Sequence, residues 1–146
     1  MKTIGEIIEG HPLHHVPSSA SVRDVARTMS KHNIGAIAVL DAGKLAGIFS
    51  ERDLLTRVVA EGRDPEQTSV DSVMSRDLFV ASPADAINEA LQKMHDCKCR
   101  HLPVVQDGNL LGMISIRDLL QIDDDANRAK ASFLRELVMY APDYET

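Results

Sequence analysis

Gly47-Ile48-Phe49-Ser50-Glu51-Arg52-Asp53-Leu54-Leu55 is written a second time, 65 positions further on, as Gly112-Met113-Ile114-Ser115-Ile116-Arg117-Asp118-Leu119-Leu120. Each copy reads as a short buried strand, then a hydroxyl, then a helix that opens on charge. Arg-Asp-Leu-Leu after the serine puts a carboxylate where strand meets helix. The first backbone N–H groups of a helix have no partner inside it and point outward. The junction is therefore a natural place to hold a polar ligand.

Working outward, residues 16–55 slide onto 81–120 without a gap and match at ten of 40 positions. Most other pairs exchange like for like, such as Val22 with Ile87 and Leu40 with Val105. The chain therefore holds one unit twice. In the first copy Ser18 to Ser21 offers helix caps, and Val22, Val25, Ala26 and Met29 fall on one helical face. In the second, Pro83-Ala84-Asp85 starts the helix, and Ile87, Ala90, Leu91 and Met94 repeat the stripe. Two short strands follow in each copy, Ala36–Leu40 with Leu45–Phe49 and His101–Val105 with Leu110–Ile114. Glycine at the third place of each intervening turn, Gly43 and Gly108, suits a positive φ. Helices begin after Ser50 and Ser115, the first with a buried stripe of Leu54, Leu55, Val58 and Val59. Short segments, 3–8 and 69–74, lead into the two copies, and residues 62–67 read as an exposed linker. Asp123-Asp124-Asp125 opens a last helix, from Ala126 to about Tyr140 with an apolar stripe, ended by Pro142.

Composition narrows the function classes. With 44% hydrophobic and 26% charged residues, 146 residues can bury a real core. A net charge of −6 opposes non-specific nucleic-acid binding, and no Trp, two Tyr and three Phe supply no stacking platform. The longest apolar run, residues 34–40, is too short to span a bilayer. Residues 1–10 have neither a basic start nor an apolar run, so no secretory leader and a cytoplasmic location are expected. The two cysteines, Cys97 and Cys99, stand one residue apart, a spacing that argues against a structural disulfide and for a reduced protein.

The duplicated pattern resembles a pair of CBS domains, the Bateman module, over roughly residues 4–122. Its marks are Arg100-His101-Leu102-Pro103-Val104-Val105 and the two Gly-x-x-Ser-x-x-Asp segments. The whole is similar to small stand-alone bacterial CBS-pair proteins. The resemblance implies an α+β fold: two tandem βαββα repeats related by a pseudo-two-fold axis, here 1–62 and 63–125, followed by a C-terminal helix and tail, 126–146. It also implies clefts between the repeats that take adenosine ligands: AMP first, with ATP, ADP, NAD(H) or S-adenosylmethionine as relatives. In the family the motif aspartate holds the ribose diol, which assigns Asp53 and Asp118 that role, with Ser50 and Ser115 at the hydroxyl position. A carboxylate can accept both ribose hydroxyls, and serine with helical N–H groups suits phosphate. Arg52, Arg117 and Arg100 add charge-assisted phosphate contacts. The family places adenine beside the backbone near Ile37 or Leu102. The second copy, with Arg100, His101, Leu102 and Pro103 where the first has residues 35–38, is the richer in phosphate-binding side chains.

Nothing in the sequence forms a catalytic set, a Walker loop or a Rossmann fingerprint, so no enzyme activity is expected and no cofactor is required. The leading reading is a ligand-sensing homodimer whose nucleotide-dependent change an unknown protein partner reads, without nucleic acid or membrane. A second reading is a protein-interaction or scaffold dimer with empty clefts. A third is a redox- or metal-responsive regulator acting through Cys97 and Cys99. The alternation of His95, Cys97, Cys99 and His101 invites zinc, but zinc ligand pairs are usually separated by wider loops, and no metal site is expected. His11, His14 and His15 read as a polar entry loop.

Overall fold

The computed structural model describes residues 2–122 and 135. The expected C-terminal helix lies outside the described residues. Two compact units emerge, His14–Leu78 and a second that joins residues 2–13 to those from Phe79 onward.

In the first unit, β1 (His15–Pro17) runs parallel to β2 (Ala36–Asp41), which pairs antiparallel with β3 (Lys44–Ser50). Between β1 and β2 lies α2 (Val22–His32). Ser21 caps it by accepting the Asp24 N–H at 3.1 Å, and Val22, Val25 and Met29 are buried as their spacing predicts. Ala42 and Gly43, both at positive φ, close the two-residue hairpin, the twist that suits antiparallel strands. After β3 comes α3 (Glu51–Asp53), which runs on as a π-helical segment, Leu54–Val59. A 3-10 turn, Val70–Ser72, packs back on the unit, with Val70, Val73 and Met74 joining Phe49, Ile37 and Val39 in the core. His14 stacks on His32 with ring centroids 3.9 Å apart, and His15 opens β1.

The second unit repeats this plan with α4 (Ile87–Cys97), β4 (His101–Gln106), β5 (Asn109–Ser115) and α5 (Ile116–Leu120). Ala81 bridges Val104 in parallel, the counterpart of Val16 beside Val39 in the first unit. Both hairpins carry a register shift at the same place, between Val39 and Leu40 and between Val104 and Val105. The helix α4 starts at Ile87, and the Glu89 carboxylate closes its first turn by accepting the Ala86 N–H at 3.0 Å. Asp85, ahead of it, accepts from Ser82 N–H and pairs with Lys93 at 2.9 Å.

The lead-in segments are exchanged between the copies. The first, α1 (Ile4–Ile8), belongs to the second unit: Ile4 N–H donates to Asp85 O and Gly5 N–H to Pro83 O, both at 2.9 Å. Ile4 and Ile8 join Leu91, Met94, Leu102 and Ile114 in that core. The second lead-in belongs to the first unit, where Ile48 and Ser75 exchange backbone hydrogen bonds of 3.0 and 2.9 Å.

The structure corrects two expectations. Leu54 is half-buried and Val58 buried, but Leu55 and Val59 are 57% and 61% exposed. The four residues form two adjacent ridges, and the unit's own core covers only one of them. Cys97 and Cys99 are joined in a disulfide. An extended backbone would hold residues i and i+2 about 6.6 Å apart. Lys98, with φ 54 and ψ 41, is left-handed instead, and the two Cα atoms stand 5.3 Å apart.

Candidate ligand-binding site

The two strand–helix junctions share one construction. Ser50 ends β3 in extended conformation and caps α3, its Oγ accepting the Asp53 N–H at 3.2 Å. Ser115 does the same for α5, accepting the Asp118 N–H at 3.1 Å. Each aspartate reciprocates through Oδ2. Asp53 accepts the Ser50 N–H at 3.0 Å and Asp118 the Ser115 N–H at 2.8 Å, the capping box in both cases. Each helix start is also tied to the strand entry before it. Glu51 N–H donates to Gly35 O at 3.0 Å and Ile116 N–H to Arg100 O at 2.8 Å.

Beyond the box the copies diverge. In the first, the Asp53 carboxylate is used up. The Ser50 hydroxyl also donates to its Oδ2 at 3.0 Å, while Oδ1 meets Arg57 Nε at 3.6 Å and the Ser75 hydroxyl at 3.4 Å. Asp53 is only 8% exposed. Arg57 continues to the Val73 and Met74 carbonyls at 3.2 and 3.0 Å, so it staples the exchanged lead-in to the helix. Neither Arg57 nor Ser75 is marked by the duplication. Arg57 could have been found as the i+4 partner of Asp53 on one helical face.

In the second copy the positions equivalent to Arg57 and Ser75 are Ile122 and Gly10. Among the described residues, no donor reaches Asp118 Oδ1 and the Ser115 hydroxyl proton has no acceptor. A carboxylate has about four lone-pair sites, so one capping bond leaves room for a diol. His101 faces Ser115 across the β4–β5 ladder, as Ala36 faces Ser50. The His101 imidazole is held down to about 4, first by burial and then by repulsion from Arg100 and Arg117, with Asp118 pulling the other way. It is neutral at pH 7. Arg117 and Arg52 are exposed and Arg100 half-buried. Leu102 and Ile37 have fully enclosed side chains, so only their main chain can meet a ligand. Pro103 is buried in β4, with its carbonyl taken by the Ala81 N–H at 2.8 Å.

His101 makes the fold pH-dependent. Its folded value lies below the ordinary 6.5, so the unfolded chain takes up the proton more readily. Its contribution is complete above about pH 6.5 and is lost as pH falls toward 4. Urea unfolding at pH 7.5 and 5.0 should therefore show on the order of 1–2 kcal/mol less stability at the lower pH than His101→Gln shows over the same interval. Identical pH slopes for the two proteins would refute that.

Fold and junctions define a tandem module, one α+β unit in two copies with an acid-bearing strand–helix junction in each. The chain belongs to the CBS-domain family, whose model matches residues 4–60 and 70–125. It is similar to the CBS domain-containing protein YhcV of Bacillus subtilis, 34% identical over 122 residues, covering 84% of this chain and 86% of YhcV. It is also 34% identical over 126 residues to the mitochondrial CBSX3 of Arabidopsis thaliana, covering 83% of this chain and 61% of that protein. The chain thus spans less than two thirds of CBSX3, and 19% of the plant relative CBSCBSPB3. Among solved structures, a CBS-domain protein from Agrobacterium tumefaciens superposes with a TM-score of 0.75 at 31% identity, covering 82% of this chain and 91% of that one. A CBS domain protein from Pyrobaculum aerophilum, complexed with AMP, reaches 0.78 at 26% identity over 89% of this chain and 98% of its own. Among the described residues no helix is long and apolar enough to cross a membrane, and no group of three His, Cys, Asp or Glu could hold a metal ion.

Proposed function

We propose that this chain is a non-catalytic regulatory module that binds an adenine nucleotide, AMP before its relatives, at the Ser115–Asp118 junction of the second copy. The observation that carries the reading is the difference between the two acids. Asp53 is spent on Ser50, Arg57 and Ser75, whereas Asp118 keeps one oxygen, and Ser115 its proton, without a partner among the described residues. Asp118 takes the ribose diol, and Arg100 and Arg117 supply two positive charges to a phosphate. Leu102 offers main chain to the adenine. Support comes from the Pyrobaculum relative, which binds AMP, and from the regulatory, non-catalytic character of CBS domains generally. The protein acts in the cytoplasm as a homodimer, without a required cofactor. Nucleotide shifts its conformational balance by binding one arrangement better than another, and a protein partner reads the change.

Titration calorimetry with AMP, ATP, NADH and S-adenosylmethionine tests this. One AMP per chain is the expected stoichiometry. Absence of heat and of saturable binding with all four would end the proposal.

A protein-docking role is the second reading, favoured by one observation. Leu55 and its counterpart Leu120 are 57% and 46% exposed on the helices that follow the two junctions. It predicts a partner captured equally well with and without nucleotide.

A further inference from the structure

We infer that Cys97 and Cys99 form a thiol–disulfide exchange site for a small-molecule disulfide, and that closing it locks the turn from which Arg100 and His101 extend. The duplication supplies the control. In both copies the first long helix ends on a left-handed residue, Asn33 with φ 54 and ψ 48 and Lys98 with φ 54 and ψ 41. The caps match bond for bond. Ile34 N–H donates to Met29 O at 3.0 Å, and Cys99 N–H to Met94 O at 3.1 Å. Asn33 donates to Ser30 O at 3.2 Å, and Lys98 to His95 O at 3.3 Å. Asparagine is enriched in the left-handed region, where its short polar side chain can bond locally; lysine as a residue type is not. The residues flanking the cap are His32 and Ile34 in the first copy, Cys97 and Cys99 in the second. The copy that lacks a left-handed-tolerant residue is thus the one that carries a crosslink across it.

The placement suits exchange. The Cα separation of 5.3 Å falls within the roughly 4.4–6.8 Å that a disulfide spans. Both cysteines are half-buried at the margin of the core. One cysteine thiolate attacks a sulfur of glutathione disulfide and expels a glutathione thiolate. The second attacks the protein sulfur of the mixed disulfide and expels the other glutathione. Two electrons pass from the cysteines to glutathione disulfide, and the two thiol protons leave with the products. In the dithiol state only the capping hydrogen bonds to Met94 O and His95 O hold Lys98 left-handed, against the steric cost of its Cβ. Because Arg100 O receives the Ile116 N–H, the loosened cap reaches the start of α5, where Asp118 sits.

The full chain, equilibrated in graded glutathione buffers and trapped with iodoacetamide, should pass reversibly from two alkylated thiols to none by mass. In the same buffers the Cys99 amide, bonded to Met94 O, should exchange hydrogen roughly 5- to 30-fold faster when reduced, the left-handed penalty for a residue with a Cβ. Cys97→Ser with Cys99→Ser should exchange fast in every buffer, and adding Lys98→Asn should restore slow exchange. Two alkylated thiols in excess glutathione disulfide overturn the inference. So does equal protection of the Cys99 amide in both states. No nucleotide enters these readouts, so the exchange site is judged apart from the ligand assignment.

Discussion

Asp118→Asn is expected to weaken AMP binding roughly 10- to 100-fold, the value of charge-assisted hydrogen bonds to a ribose diol, while leaving the fold intact. The asparagine amide oxygen can still accept the Ser115 N–H, so the helix cap survives. Asp53→Asn should do the reverse. Its carboxylate is already engaged by Ser50, Arg57 and Ser75, so AMP binding should change by less than about twofold. Stability should fall by about 1–3 kcal/mol, because a buried acceptor loses its charge beside Arg57. Calorimetry and urea unfolding on the two variants separate these outcomes. Full AMP affinity in Asp118→Asn would remove that residue from the site. Equal losses at the two positions would mean that the divergence between the junctions has no bearing on the ligand.

Gly47→Ala should cost about 3 kcal/mol, with Gly112→Ala below about 1 kcal/mol, although the two glycines occupy the same place in the repeat. A Cβ on Gly47 would lie 2.6 Å from Met74 Sδ and 2.7 Å from Ser75 O. The thioether can swing away, but the carbonyl cannot. Ser75 is pinned by its two backbone bonds to Ile48, so the lead-in must peel off the strand and release Met74 from the core. The three atoms nearest a Cβ on Gly112 all belong to the Ile8 side chain, and the closest, Cδ1 at 3.0 Å, is its mobile end. Urea midpoints of the two variants decide the point, and similar midpoints would show that the Ile48–Ser75 bridge yields at little cost.

Much of this architecture can be read in the sequence because duplication tests each reading against its twin. The stripe of Val22, Val25 and Met29 recurs as Ile87, Ala90, Leu91 and Met94, and all seven are buried. The hairpin glycines and the helix starts after Ser50 and Ser115 likewise follow from spacing and residue type. What escapes is whatever the repeat does not repeat. Arg57 and Ser75 have an isoleucine and a glycine as counterparts, so comparison of the copies passes over them. Exposure of Leu55 and Val59 escapes for another reason: periodicity says which residues share a side, not how much of that side the unit covers. The cysteine crosslink depends on the backbone sign of Lys98, which residue type argues against.

Exchange of the lead-ins makes residues 14–78 an insert within the other unit. To bring Leu13 and Phe79 into one fold, the chain must close a loop of 65 residues, at an entropic cost of about 4 kcal/mol if the insert is still a coil. A folded insert removes most of that freedom in advance. Assembly therefore has a preferred order, with the uninterrupted unit first, and α1, although translated before that unit, waits for residues made after it.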